Sequence, residues 1–193
     1  MLTEAAIRTA VVRDVAAAVG QPAHVVFEFW VPRSHERADV AVIGRSTLHG
    51  LEIKTARDSL KRLPRQAAAY TRIFDRCEAV LATRHLEVAL EILPPWWGVR
   101  LVNDDASLTM MRAAEPNSGV DAEILVRLLW RDEAYAAVSG LDDDIDPRAC
   151  RHQLWTILLD TLDIESLKTV VRHALLSRKA TSARVPTRRF AVS

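Results

Sequence analysis

The chain has 193 residues, of which 49% are hydrophobic and 26% charged, and its formal net charge is +1. This composition excludes a wholly disordered chain and a uniformly basic surface, so any nucleic-acid-binding surface must be local. The two cysteines, Cys77 and Cys150, lack CxxC spacing and predict neither a disulfide scaffold nor a zinc ribbon, which suits a reducing cytoplasm. The N-terminal segment carries charges unlike a signal peptide, and no apolar run reaches the roughly 20 residues that span a bilayer.

The first part of the chain alternates between helical and strand patterns. Residues 2–19 predict an amphipathic helix, because apolar side chains recur at helical spacing before Gly20-Gln21-Pro22 ends the pattern. β-branched and aromatic residues then predict a meander of three strands. The segment that follows predicts a helix, with Pro64 suited to the first turn of a fresh helix, then a strand, a short helix and a final pair of short strands. The predicted strands are 24–32, 37–44, 46–55, 78–83, 97–103 and 108–114, and the helices between them are 58–75 and 84–92.

The composition shifts after Glu115, where almost every remaining segment has a helical pattern. We therefore predict an α/β core over residues 1–115 and a helical C-terminal region over residues 116–193. The predicted helices of this region are 121–138, 147–162 and 164–178, followed by a loose tail from Thr181. From Ser166 to Ser193 there are seven Lys or Arg residues and no acid, which fits either a phosphate-seeking arm or an ordinary basic tail.

The third predicted strand contains an acid and a base on one face. Side chains alternate along a strand, so Glu52 and Lys54 share the face opposite Leu51 and Ile53. Asp39 is the single charge in the apolar run of the preceding strand and would lie beside Glu52 if the two strands pair. Two neighbouring carboxylates repel, and a divalent cation such as Mg²⁺ removes that conflict. The alternative is a surface ion pair of Glu52 with Lys54 and a strand-end Asp39.

These residues resemble the PD-(D/E)XK nuclease superfamily, whose core is a helix, a three-stranded meander, a helix, a strand and a helix. Gln66 and Tyr70, on one face of the helix that follows, resemble the QxxxY motif of its RecB-type members. The resemblance implies a restriction-endonuclease-like fold and a metal-ligand role for Asp39 and Glu52. It also implies that Lys54 assists the attacking water and that Gln66 and Tyr70 line the active site. Ala38 stands where the superfamily's name has proline.

A more extensive resemblance, over most of the chain, is to a group of uncharacterised bacterial proteins of the same type. They share an acid on the first helix, an Arg-x-Asp strand, a GxEIK strand, a Leu-Pro-x-Gln helix with a downstream tyrosine, and a Leu-Trp-Arg-Asp-Glu run. Here these are Glu4, Arg37-Ala-Asp39, Gly50-Leu-Glu52-Ile-Lys54, Leu63-Pro-Arg-Gln66, Tyr70 and Leu129-Trp-Arg-Asp-Glu133. The resemblance is weakest over Thr181–Ser193.

A third acid often completes such a site, and two acids compete for that role. Glu28 is an isolated charge in an apolar strand, so it is either a metal ligand or a strand-edge acid that faces solvent. For Glu4 the alternative is an acid that stabilises a helix N-terminus.

A basic run lies between the third strand and the second helix. Its members could hold phosphates or could simply form a solvated helix face. The candidates are Arg57, Lys61, Arg62 and Arg65.

The sequence therefore predicts a Mg²⁺- or Mn²⁺-dependent nuclease acting on nucleic acid, with DNA the expected substrate. The alternative is a non-catalytic nucleic-acid-binding or protein-interaction module on the same fold. No GxxxxGK[ST] or GxGxxG motif supports a nucleotide cofactor. The patterns leave open DNA against RNA, endonuclease against exonuclease action, and the oligomeric state.

Overall fold

The computed structural model describes residues 4–19, 23–142 and 144–178, with the side chains of residues 4–6 and 16–19 outside that description. The Glu4 side chain and the predicted tail from Thr181 to Ser193 thus lie outside the described residues. The strands are β1 (His24–Trp30), β2 (Arg37–Ile43), β3 (Leu48–Lys54), β4 (Arg76–Leu81), β5 (Gly98–Val102) and β6 (Leu108–Arg112). The α-helices are α1 (Glu4–Val19), α2 (Leu63–Thr71), α3 (Leu86–Ile92), α4 (Ala122–Leu125), α5 (Arg131–Ser139), α6 (Arg151–Thr161) and α7 (Ile164–Ser177).

The six strands form one mixed sheet in the order β1-β2-β3-β4-β5-β6. The first three strands are an antiparallel meander, β3, β4 and β5 are parallel neighbours, and β6 returns antiparallel to β5. The parallel steps need crossovers, which the segments containing α2 and α3 supply. The predicted α/β class and the order of helices and strands through α3 are confirmed.

Helix α1 covers part of one face of the sheet. Its apolar stripe, which includes Val11 and Val15, packs in one cluster with Val40 of β2, Leu51 of β3 and Val80 of β4. Leu51 thus faces α1, and by the alternation of strand side chains its neighbour Glu52 faces the opposite side of the sheet. This packing decides which face of β3 carries the polar side chains.

The opposite face of the sheet is covered by α2 and by the helical C-terminal region. Tyr70 of α2 and Phe74 lie in the same core cluster as Leu125, Leu154 and Val171, which follow the predicted boundary near residue 116. The region after that boundary therefore packs into the same core as the sheet. Among the described residues, no helix is long and apolar enough to cross a membrane.

The predicted helix 121–138 is interrupted, and this is the main departure from the sequence-based elements. After α4 and a 3₁₀ turn, Leu129 and Trp130 adopt extended backbone, and α5 starts at Arg131. The Trp130 N–H donates to Glu133 Oε2 at 2.8 Å, which caps the new helix. Arg178 at the end of α7 then donates to both oxygens of Glu133, so a distant residue reinforces the break.

Candidate active site

The antiparallel register of β2 and β3 brings Asp39 and Glu52 together. Val40 is the partner of Leu51, so the next pair outward is Asp39 and Glu52. Here the Asp39 side chain takes the place of a backbone acceptor between the strands, because the Ile53 N–H donates to Asp39 Oδ2 at 2.7 Å. Asp39 is therefore fixed beside the strand that carries Glu52, as the sequence predicts.

Glu52 is the centre of a buried hydrogen-bond network. Glu52 is 1% exposed, and its carboxylate accepts from Lys54 Nζ at 2.5 Å and from Gln66 Nε2 at 2.6 Å, both at Oε1. The Tyr70 hydroxyl lies 2.5 Å from Glu52 Oε2 and 2.7 Å from the Arg37 carbonyl oxygen, and its single proton serves one of these acceptors at a time. A buried carboxylate is tolerated only when charges and donors surround it in this way.

Lys54 and Gln66 are themselves buried beside Glu52. Lys54 is 8% exposed and Gln66 is 3% exposed, so neither is a solvated surface residue. The Gln66 Oε1 atom is buried and has no hydrogen-bond partner among the described residues. An unpaired buried acceptor costs about 1–3 kcal/mol. The alternative of a surface ion pair between Glu52 and Lys54 is therefore wrong, since the pair is buried.

Asp39 and Tyr70 have perturbed acidities. Burial and the charge of Glu52 raise the pKa of Asp39 to about 7, although the Ile53 N–H, Lys54 and Arg8 act in the opposite direction. Burial and the same Glu52 charge raise the pKa of Tyr70 well above its usual range, so its hydroxyl stays a donor. Without a further cation, the two carboxylates are not both fully ionised near neutral pH.

An aromatic cluster fixes Tyr70 in position. Its ring stacks on Trp97 with centroids 5.8 Å apart and contacts Phe74 edge-on at 5.5 Å. Gly50 lies directly under Phe74, since a Cβ at this position would be 2.6 Å from the ring atom Cδ2. Glycine at position 50 therefore allows the turn that follows α2 to pack closely against the sheet.

Glu28 of β1 lies opposite Asp39 of β2, and its carboxylate is bound by Arg8. The register of β1 with β2 pairs Phe27 with Val40 and Phe29 with Ala38, which leaves Glu28 opposite Asp39. Its backbone has a φ of 52°, and Arg8 of α1 donates to Glu28 Oε1 at 2.7 Å.

The same Arg8 Nη2 atom lies 3.9 Å from Asp39 Oδ1. Glu28 is thus joined to the site through Arg8. Among the described side chains, no group of three or more His, Cys, Asp or Glu residues is arranged to hold a metal ion.

The predicted phosphate-binding residues divide into two pairs. Arg62 and Arg65 both donate to the buried carboxylate of Glu36, Arg62 at 2.8 Å. Burial raises the pKa of Glu36, but hydrogen bonds and charges from the two arginines outweigh it and hold that pKa below its usual value. Arg57 and Lys61 are exposed, and neither side chain has a partner among the described residues.

Three contributors were missed by the sequence patterns. Glu36 precedes the Arg-x-Asp strand and has no periodic signal that marks it as buried. Arg8 lies in the first helix, and no local pattern signals its contacts with Glu28 and Asp39. His85, 6% exposed, donates from Nε2 to the Thr55 carbonyl at 3.0 Å and so supports the segment after Lys54. A lone histidine in a sequence carries no signal for such a contact.

Residues 1–189 match the profile of a family described as bacteriophage P4 protein cII. The chain belongs to the bacteriophage P4 cII family. No curated protein matches the chain. Among solved structures, a protein of unknown function from Silicibacter pomeroyi is similar to this member of the P4 cII family, with 19% sequence identity and a TM-score of 0.48. The match covers 77% of this chain and 99% of that protein.

Proposed function

We propose that this chain is a metal-dependent nuclease with a restriction-endonuclease-like core of the PD-(D/E)XK type, which hydrolyses phosphodiester bonds in DNA. The observation that carries the proposal is the network around Glu52. A buried acid is held by Lys54, Gln66 and Tyr70 next to a second acid, Asp39, whose pKa burial and Glu52 raise to about 7. Strongly perturbed acids beside a specific cation are typical of functional sites.

The donor set fits Mg²⁺ or Mn²⁺. Glu52 Oε1 already accepts two hydrogen bonds, whereas Glu52 Oε2 accepts one from Tyr70 among the described residues and keeps lone-pair capacity. Asp39 accepts the Ile53 N–H at Oδ2, and its Oδ1 lies 3.9 Å from Arg8. Asp39 and Glu52 would therefore hold the ion through hard oxygen atoms, with water and phosphate completing its coordination.

Each residue of the network has a role in this proposal. The bound ion would polarise the phosphate and lower the pKa of a bound water. Lys54 would orient the attacking water and offset charge on the phosphate. Gln66 and Tyr70 would hold Glu52 in its rotamer from the α2 side. The exposed cations Arg57 and Lys61, together with Arg62 and Arg65, would contact the phosphate backbone.

The test combines metal binding with cleavage. Asp39→Asn keeps an acceptor for the Ile53 N–H but removes the charge, so we expect it to abolish both cleavage and the Mg²⁺-induced rise in melting temperature. Glu28→Gln is the matched control, because Glu28 is bound by Arg8, and it should retain both. Substrates are labelled linear, circular, branched and single-stranded DNA and RNA, with Mg²⁺, Mn²⁺ or chelator. Equal metal-induced shifts in wild type and Asp39→Asn would overturn the ligand assignment.

A non-catalytic module is the second candidate, and one observation favours it. Glu52 is already neutralised by Lys54 at 2.5 Å, so the network is stable as an internal ion pair without any metal. In that case nucleic acid or a protein partner would bind equally well in Mg²⁺ and in chelator. No substrate in the panel would be cut, and neither acid substitution would change the response to metal.

A further inference from the structure

A polar cleft lies at the other end of β3 from Glu52. A cleft of about 650 Å³ opens between the start of β3 and β4, the segment after β6, and α7. Its lining includes Thr47, His49, Arg76, Glu78 and Arg100. This volume lies within the range of pockets that bind small molecules.

Three residues of the cleft lining come from the sheet face that α1 covers in part. His49 lies two residues before Leu51 and pairs with Arg76 of β4, while Leu51 pairs with Glu78. These four side chains therefore share one face. Leu51 packs under α1, but His49, Arg76 and Glu78 line the cleft beyond it.

The lining of the cleft carries one more basic than acidic side chain. Four cations, Arg76, Arg100, Lys168 and Arg172, face three acids, Asp75, Glu78 and Glu165. Most of these charges are already paired.

Arg100 binds Glu78 at 2.5 Å, Arg172 binds Asp75 at 3.0 Å, and Lys168 binds Glu165 at 2.8 Å. Arg76 donates to the carbonyl of Ala114 and forms no ion pair with any described acid. The cation without a carboxylate is therefore Arg76.

Two buried polar atoms in the cleft have no hydrogen-bond partner in the part of the chain that the structure describes. The His49 side chain is 7% exposed, and its Nε2 lies 3.5 Å from Glu78 Oε1 without making a hydrogen bond. Burial lowers the pKa of His49 to about 4, so the ring is neutral at neutral pH. Thr47 Oγ1 is also buried without a partner. Each unpaired atom costs stability that a bound polar molecule would restore.

We propose that this cleft binds a small organic anion, whose phosphate or carboxylate group pairs with Arg76 and whose polar atoms bond to His49 and Thr47. An anion matches the single surplus positive charge, and both unpaired atoms can serve oxygen-rich groups. The site uses no residue of the proposed nuclease centre, so it does not depend on that activity.

The experiment titrates the full-length chain with sodium phosphate, a nucleoside monophosphate or citrate, against sodium chloride at matched ionic strength. We expect a saturable rise in melting temperature with at least one anion. Phosphate compounds and citrate distinguish the phosphate source from the carboxylate source. Thr47→Val, which keeps the side-chain shape, and Arg76→Gln should each weaken the fitted affinity at least tenfold. Asp39→Asn, beside the opposite end of β3, should bind like wild type.

A second measurement does not depend on variant stability. The imidazole ¹⁵N signal that disappears in His49→Gln should shift in the wild-type chain with the same midpoint as the thermal titration. No saturable response to any anion would overturn the proposal. Unchanged affinity in both cleft variants, or a His49 signal that stays constant at saturation, would also overturn it.

Discussion

Replacing Gly50 by alanine is expected to destabilise the protein through one contact. The new Cβ would lie 2.6–2.7 Å from three atoms of the Phe74 ring. Carbon atoms prefer a separation of about 3.5–4.0 Å, so the ring or the strand must move by roughly 1 Å. Phe74 is fully buried, with Phe29 and Tyr70 packed against it at centroid distances of 5.7 and 5.5 Å, so it has no free space to move into.

The expected loss follows from that crowding. Overpacking a filled core costs about 1–3 kcal/mol. Alanine also lowers the conformational entropy of the unfolded chain, which offsets this cost by up to about 1 kcal/mol. We therefore expect a net loss of about 1–2 kcal/mol in the free energy of unfolding. At roughly 2–4 °C per kcal/mol for a chain of this size, the melting temperature should fall by about 2–8 °C.

Urea unfolding and thermal melting measure this loss, with two comparisons. Gly140→Ala is the matched control, because its backbone φ is −80° and a Cβ there would meet its nearest atom at 3.5 Å. It should leave stability unchanged or slightly higher. Phe74→Leu should cost less in the Gly50→Ala background than in wild type, since it removes ring atoms that clash. Wild-type stability in Gly50→Ala, or strictly additive costs in the double variant, would refute the reasoning.

Three further predictions concern charge and hydrogen bonding. The pKa of His49 is about 4 when folded against an ordinary 6.5, so the unfolded chain takes up the proton first as pH falls. Stability should therefore decline between pH 6.5 and 4 by about 3 kcal/mol, and urea unfolding of His49→Gln should lack that component. Tyr70→Phe removes the donor to the buried Glu52 Oε2 and should cost about 1–3 kcal/mol by urea unfolding; a loss below 0.5 kcal/mol, about the uncertainty of such a measurement, would contradict the described bond. Arg62→Ala and Lys61→Ala should each weaken nucleic-acid binding and reduce its salt slope by about 1, and slopes equal to wild type would exclude them as phosphate contacts.

The order of the elements was predictable because it depends on local periodicity. β-branched residues mark β1 to β4, and the alternation in β3 correctly separates Leu51 from Glu52. The break at Leu129 and Trp130 was not predictable. Both residues suit a helix locally, and the Glu133 cap is reinforced by Arg178, 45 positions further on.

The site was predictable to the extent that its chemistry lies within short motifs. Glu52 and Lys54 are neighbours in the sequence pattern, and Gln66 and Tyr70 share a helical face that the structure turns towards Glu52. The surroundings of the basic run were not predictable. Arg62 and Arg65 bind Glu36, a contact across 26 and 29 positions that no local pattern encodes.

The stacking of Tyr70 on Trp97 places a natural fluorophore next to the hydrogen-bond network of Glu52. Trp97 is fully buried, whereas Trp30 and Trp130 are about half exposed, so Trp97 is expected to emit at a shorter wavelength than those two. The Tyr70 ring lies 5.8 Å from the Trp97 ring, and the Tyr70 hydroxyl contacts Glu52. Movement of Glu52 away from that hydroxyl would therefore change the surroundings of a natural fluorophore.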